Sequence, residues 1–346
     1  MTLTEERRAT ASVPLQTPDA APRRPWRHRL SRFDQNASPY FYISPFFLLF
    51  GLVGLFPLLY TVWVAVHDWN LLKDEGDFVG LGNFVEIFGD GMFWNSIFNT
   101  VSIFLLSAIP QLAVALFIAY LLDRGLRTPT FWRMSVLIPF VVTPVAVALI
   151  FSSIFNEADG LANNLVNLLG IADQQWKEDT ALSHIAIAVM VNFRWTGYNA
   201  LILLAAMQSV PRDLYESAAL DGAGSARRFF SITIPTIRPT LIFVIITSTI
   251  GGLQIFAEPK LFDVSTAGGI GGSDRQFQTT VLFLWELAFF RLDLGKASAV
   301  AILLFLLIVA FGLINFLISR RISTGDDRRN RAARRRARST VEEDVR

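Results

Sequence analysis

The chain has 346 residues, with 31 Lys and Arg against 29 Asp and Glu, yet charged residues make up only 17% of it, 52% are apolar and the mean hydropathy is +0.43. That charge content is below the roughly 25% usual in soluble domains, and the apolar residues fall in uncharged runs of the ~20 residues that cross a bilayer, which excludes an ordinary soluble protein. There is no cysteine, which excludes a disulfide framework, a thiolate nucleophile and a Cys-ligated metal.

Residues 1–37, rich in Arg, Pro, Ala and Thr, read as a disordered basic arm. The first apolar run behind it is too long for the h-region of a secretory signal peptide. Six transmembrane helices are predicted, at about residues 41–66, 95–122, 134–155, 185–210, 239–257 and 297–319, giving an all-α polytopic membrane fold over residues 38–320. Pro110, Pro139 and Pro144 inside these runs are tolerable because neighbouring helices re-satisfy the freed carbonyls. A further apolar stretch, Phe277–Phe290, is short and carries Glu286. With six spans, 24 of the 31 Lys and Arg fall on the side of the two termini and 6 on the opposite side, which puts both termini in the cytoplasm. Were Phe277–Phe290 a seventh span, the basic tail 321–346 would face outward, so this stretch is predicted to be an external interfacial or re-entrant helix. The tail itself suits a contact with anionic lipid rather than with nucleic acid. One external loop concentrates Asp68, Asp74, Glu75, Asp77, Glu86 and Asp90, which either face water or help to dock an external partner.

The cytoplasmic segment from Ser209 to Pro239, SVPRDLYESAALDGAGSARRFFSITIPTIRP, is the most informative. Ser209 can N-cap a helix, Pro211 suits its first turn, and Asp213 and Glu216 favour the positive end of its dipole. Gly222-Ala-Gly224 permits a bend, and a second short helix over about Ser225–Ile232 is expected to stop at Pro235. A compact knob of this kind either docks into a partner or only connects two spans.

The segment resembles the EAA coupling motif of ABC importer permeases: Glu-Ala-Ala, three residues, Gly, nine residues, Ile, one residue, Leu-Pro. The matching positions are Glu216, Ala218, Gly222, Ile232 and Pro235, with Ser217 in place of Ala and Ile234 in place of Leu, and Asp221-Gly222-Ala223 resembles the sugar-permease version. Asn99-Thr100, Gly160–Gly170 (GLANNLVNLLG), Trp195–Tyr198, Thr279–Leu282 and Gly295–Ala299 resemble the carbohydrate-uptake branch of that family. Ser38–Phe47 with His67-Asp-Trp69 is similar to permeases for cello-oligosaccharides or related β-linked sugars. The resemblance spans roughly residues 40–320. It implies one permease of a heterodimer, working with two ATPase subunits and an external sugar-binding protein. It also implies that the loop seats in a cleft of the ATPase, and that ATP and Mg belong to those subunits. No cofactor is expected in this chain.

Absent motifs agree with that division of labour. There is no G-x-x-x-x-G-K-[ST], H-E-x-x-H or G-x-S-x-G, and Gly268–Gly272 lacks the Lys-Ser/Thr of a phosphate loop. His28, His67 and His184 are too dispersed for a metal site. The substrate path is expected in spans four and five. Arg194 is the one charge well inside a span, and it either lines the path or pairs structurally. Trp195, Gly197, Tyr198 and Asn199 follow it, Trp195 with a face to stack on a sugar ring, Tyr198 and Asn199 with hydroxyl-binding groups. Thr247, Gly251 and Gln254 share a face of span five, as a pore wall or a helix seam. The rival readings are a permease for glycerol-phosphate or another anionic solute, for which Arg194 is the natural partner, a secondary transporter, which lacks its midplane carboxylates here, and an intramembrane enzyme, which lacks a buried catalytic set.

Overall fold

The computed structural model describes residues 26–72, 76–263 and 270–318, with side chains from Ser38 onward. The first 25 residues and the tail 321–346 lie outside them. Of the described residues, those up to Leu59 form one unit and those from Tyr60 onward a second. Among the described residues the regular structure is helical, with two isolated β-bridges.

The first unit is built on α1 (Trp26–Leu49), which passes through a π turn at Phe50–Leu55 into α2 (Phe56–Ala65). The helix begins at Trp26, so the stretch read as a disordered arm is helical over its last residues. Most side chains from Tyr40 to Trp63 are exposed and apolar, as suits lipid-facing or partner-facing helix.

In the second unit α3 (Gly82–Gly89) precedes α4 (Gly91–Asp123), which starts at the Asp90 cap and carries Pro110 without breaking. The third predicted span is broken: α5 (Pro129–Val141) and α6 (Pro144–Ile154) meet at 87°. The cause is local. Thr143 precedes a proline and is therefore extended, with ψ 147°, and Pro144 opens the new helix where its missing N–H is not needed. Then come α7 (Leu161–Leu168) and the long α8 (Thr180–Gln208). Two helices follow on the loop, α9 (Arg212–Leu220) and α10 (Ser225–Thr236), and a 70° bend leads into α11 (Arg238–Leu253). The chain ends in α12 (Ala257–Phe262), α13 (Thr280–Phe289) and α14 (Leu294–Ile318). Among the described residues four helices are long and apolar enough to cross a membrane, and the count reaches six if each bent pair is one span.

Two hydrogen bonds between α4 and α8 set their direction. Ser102 meets His184 at 2.9 Å and Gln111 meets Asn199 at 3.2 Å, so residue numbers rise together and the helices are parallel. Helix α14 runs the same way: Ala297 and Val300 pack with Phe93, and Phe311 lies 5.9 Å from Phe104. Helix α11 runs oppositely, with Gly252 against Phe104 and Val244 in the cluster of Ala115 and Ala119. Buried alanines let α4 and α8 approach closely: Ala115, Ala119, Ala186 and Ala200 are fully buried. Gly197 takes this furthest. A Cβ there would lie 1.8 Å from the Val136 carbonyl oxygen of α5.

The short apolar stretch forms α13, and it is tucked into the protein rather than laid on a surface. Glu286, buried on it, accepts hydrogen bonds from the guanidinium groups of Arg275 and Arg291 and, at 2.6 Å, from the Gln278 amide. Burial pushes the Glu286 carboxyl up; these donors outweigh it and hold the group below its ordinary 4.5. Asn99 and Thr100 tie α4 to the same region: the Asn99 amide donates to the carbonyls of Arg275 and Gln278, and Thr280 N–H donates to Thr100 Oγ1 at 2.8 Å. The acidic loop is partly consumed by structure, since Glu86 pairs with Lys296 at 2.8 Å.

Two outcomes test this packing. Gly197→Ala should destabilise the protein by about 3 kcal/mol through overpacking against main chain, read as a lower Tm in detergent. Glu286→Gln should cost about 3 kcal/mol at neutral pH by leaving two arginines unpaired. A carboxylate whose folded pKa is depressed stabilises fully above 4.5 and loses that contribution as pH falls through the folded value, so the Tm gap between wild type and Glu286→Gln should close on acidification below pH 4.5.

Candidate functional site

The loop after α8 is a two-helix knob rooted in the core. Ser209 does not cap α9. It closes α8 instead, donating from Oγ to the Ala206 carbonyl at 2.7 Å, and Pro211 sits at the N-cap of α9 without a side-chain bond. Helix α9 ends in a Schellman arrangement, with Gly222 N–H bonded to the Ala219 carbonyl at 3.0 Å and Ala223 N–H to that of Ala218 at 2.9 Å. Gly222 takes φ +78° with open space around it, so backbone freedom, not packing, explains the glycine. Helix α10 does not stop before Pro235. A π turn at Phe229–Thr233 resets the hydrogen-bond register, and Pro235 falls in the first turn of the segment after it. Tyr215 Oη and Thr233 Oγ1, 2.8 Å apart, join the two helices. Tyr215, Phe229 and Ile232 pack inward on Leu122, Leu203 and Met207. Outward, Glu216, Ser217, Asp221, Gly222 and Pro235 are exposed and Ala218 is half-buried. The exposed face also bears Leu220, 90% accessible, and Phe230.

About 180 Å³ of cavity opens between α4, α8 and α11. Of the residues expected on a substrate path, it collects Trp195, Tyr198, Asn199, Thr247 and Gly251. The Asn199 amide donates to Gln111 Oε1 and to Ser248 Oγ, both at 3.2 Å. Among the described residues the Gln111 amide N–H groups and the Asn199 carbonyl have no hydrogen bond, which leaves donors and an acceptor for a guest. Trp195 and Tyr198 supply the aromatic side. Phe140 stacks on Tyr198 at 4.7 Å and meets Trp195 edge-on at 5.3 Å, which orients both rings. Thr247 Oγ1 is satisfied within its own helix by the Phe243 and Val244 carbonyls. A Cβ on Gly251 would touch nothing.

Three expected members lie elsewhere. Arg194 is turned away from the cavity to Glu258 of α12, with Nη1 and Oε1 2.9 Å apart, the glutamate buried and the arginine partly buried. Gly197 serves the α5–α8 crossing. Gln254 follows the last residue of α11, which ends at Leu253 rather than near Ala257, and is exposed. Conversely, Ser107, Gln111 and Ser248 belong to the cavity and were not anticipated. The signal for the first two was present: Ser107 and Gln111 are four residues apart on one face of an otherwise apolar span.

Known proteins resemble this chain in sequence and in fold. Residues 79–324 match the family model described as binding-protein-dependent transport system inner membrane component. The lactose transport system permease protein LacF of Rhizobium radiobacter is 31% identical over 300 residues, 85% of this chain and 97% of LacF. The trehalose/maltose transport system permease protein MalF of Thermococcus litoralis is 32% identical over 282 residues, 81% and 93% of the two chains. A chain of the crystal structure of a bacterial alginate ABC transporter superposes with a TM-score of 0.72 at 19% identity, covering 86% of this chain and 98% of its own, and so shares the fold. The chain belongs to the binding-protein-dependent transport system inner membrane component family and is a multi-pass transport subunit, not an enzyme.

Proposed function

We propose that this chain is one permease of a heterodimeric ATP-driven importer, carrying a carbohydrate, an oligosaccharide, inward across the cell membrane. Its partners in this reading are a second six-span permease, two ATPase subunits that hold ATP and Mg, and an external sugar-binding protein. The observation that carries the proposal is the cavity: neutral amides and hydroxyls beside two oriented aromatic rings, between the apolar helices of a membrane protein. Amide groups match the donors and acceptors of sugar hydroxyls, and aromatic faces match the apolar faces of a sugar ring. At about 180 Å³ the cavity is smaller than the roughly 300–1,000 Å³ of complete ligand sites, which fits one wall of a path that the second permease completes. The anionic-solute reading loses its main support, because Glu258 already neutralises Arg194.

Six spans with cytoplasmic termini are supported by helix direction. Parallel α4 and α8 require one recrossing between them, which the bent pair α5–α6 supplies. The ends of α4 and α8 then lie on one face with Arg124, Arg127, Arg212, Arg227 and Arg228, the basic side that faces the cytoplasm. The knob of α9 and α10 leaves that face, where Glu216, Ser217, Ala218, Asp221 and Gly222 engage a cleft on an ATPase, with Ile232 and Pro235 shaping its second helix. Met207, at the root of the knob, is eight residues from Asn199, or ~12 Å along α8. A tilt imposed on the knob is thereby delivered to the cavity wall.

The decisive measurement is ATPase activity of the purified complex, stimulated by binding protein loaded with lactose, maltose or β-linked glucose oligosaccharides. Glu216→Ala should lower stimulation about tenfold, the equivalent of ~1.4 kcal/mol of interface energy. Gly222→Val should do at least as much, since a β-branched residue is strained by ~1–2 kcal/mol at positive φ. Unchanged stimulation in both variants would overturn the coupling assignment. For the cavity, Gly251→Leu should block sugar uptake while leaving Tm unaltered, because the added side chain enters open space. Gln111→Ala should weaken uptake about fivefold, the effect of ~1 kcal/mol from one lost hydrogen bond. Normal uptake by both would place the path elsewhere.

A further inference from the structure

Two adjoining cavities at the root of the knob are used by neither the sugar path nor the ATPase face. The larger, of about 570 Å³, lies between the ends of α4 and α8 and the start of α5. The smaller, of about 140 Å³, runs on beneath α10. Asp123, Met207 and Tyr215 line both. Their charges do not balance. Arg133 and Arg212 face the larger cavity, Arg124 and Arg228 the smaller, and Asp123 is the one carboxylate that either contains.

Asp123 feels the charges of Arg212 and Arg133 but forms no ion pair within 4 Å among the described residues. Arg124 is engaged by Tyr120, through a hydrogen bond to its hydroxyl and by lying 4.3 Å over its ring. Arg133 and Arg228 are different: each has a buried Nε with no hydrogen-bond partner. A buried guanidinium N–H left unmatched is costly, and acceptor oxygens of an anion are what it lacks. The wall of the larger cavity also carries apolar side chains, Leu122, Leu126, Pro129 and Val210, beside Gln208. A free phosphate has no use for such a wall. A molecule with an anionic phosphate and a hydrocarbon chain uses both parts, and the cavities lie at the ends of the long apolar helices α4 and α8, the level at which spanning helices meet phospholipid headgroups.

We propose that an anionic phospholipid binds here, its phosphate among Arg133, Arg212 and Arg228 and an acyl chain along Leu122, Leu126 and Val210. Phospholipid phosphates line both faces of a bilayer, so the site does not depend on the orientation of the chain or on the transported substrate. A lipid so placed props the knob against the ends of α4 and α8.

The test is native mass spectrometry of the delipidated full-length protein in detergent, titrated with phosphatidylglycerol or with phosphatidylcholine of the same acyl chains. Phosphatidylglycerol should bind preferentially. Arg133→Gln and Arg212→Gln should each weaken it about fivefold, the effect of one basic group at a lipid surface, without changing phosphatidylcholine binding. Asp123→Asn, which removes the repelling charge, should tighten it, an outcome that misfolding cannot imitate. Equal binding of the two lipids, or no response to Asp123→Asn, overturns the proposal. Displacement of phosphatidylglycerol by inorganic phosphate would make this a small-anion site and overturn the lipid assignment. So would phosphatidylglycerol binding that Arg133→Gln leaves unchanged while it releases a co-expressed ATPase subunit, for then the arginines serve a protein partner.

Discussion

Lipid gives two apolar helices no hydrophobic reason to associate, so α4 and α8 must be held by close packing and by polar groups that meet in register. Ala115, Ala119, Ala186 and Ala200 permit the approach, while Ser102 with His184 and Gln111 with Asn199 fix the register at two depths. The rest of the second unit depends on this pair. The cavity is the gap that α11 leaves when it packs against them, and the knob is rooted where Leu122 and Met207 finish their helices. At the other end, Asn99 and Thr100 of α4 hold the turn that leads into α13. Gln111 and Asn199 thus do two things at once: they lock the helices and leave part of their hydrogen-bonding capacity open to the cavity.

Around this rigid pair the chain bends where its prolines allow. Thr143-Pro144 turns α5 into α6, and Ile237 with Pro239 turns α10 into α11. Pro110, by contrast, leaves α4 continuous, which shows that a proline permits a break and the surroundings decide it. Backbone polar groups freed at a break need new partners away from lipid. Thr143 Oγ1 supplies one by accepting from Ala146 N–H. The Glu286 cluster does the equivalent for charge, with two arginines and an amide converging on a single buried carboxylate.

The knob was legible in the sequence because its signals are local: a proline, an acidic first turn, helix formers, then glycine at the C′ position. Gly222 and the Schellman bonds around it follow from that order alone. Its second helix was read too short, since no local signal marks a π turn, and Pro235 in isolation looks like a stop. Span existence was legible for the same reason as in any membrane protein, from the length of uncharged runs. The end of the fifth span was not: Leu253-Gln-Ile-Phe-Ala257 stays largely apolar across the point where α11 gives way to α12. Half of the cavity was found from Trp195 to Asn199 and from Thr247 with Gly251. The α4 half was missed because Ser107 and Gln111 acquire meaning only when Asn199 is placed opposite them.

Arg194, which the sequence leaves as either a path residue or a structural pair, is paired within the chain. A lone charge in a span invites a search for a charged substrate, because a bare guanidinium is expensive in lipid. The required partner was in the sequence as Glu258, 64 residues away, just past a helix end that the apolar pattern conceals. Once α12 brings Glu258 within 2.9 Å, the arginine is neutralised inside the chain and its ring-side neighbour changes meaning too. Arg194 lies over Trp195 with its guanidinium carbon 5.6 Å from the ring centroid, so the ion pair backs the aromatic wall of the cavity. The charge that looked like a ligand for an anion instead lies, already paired, behind a cavity lined by neutral side chains.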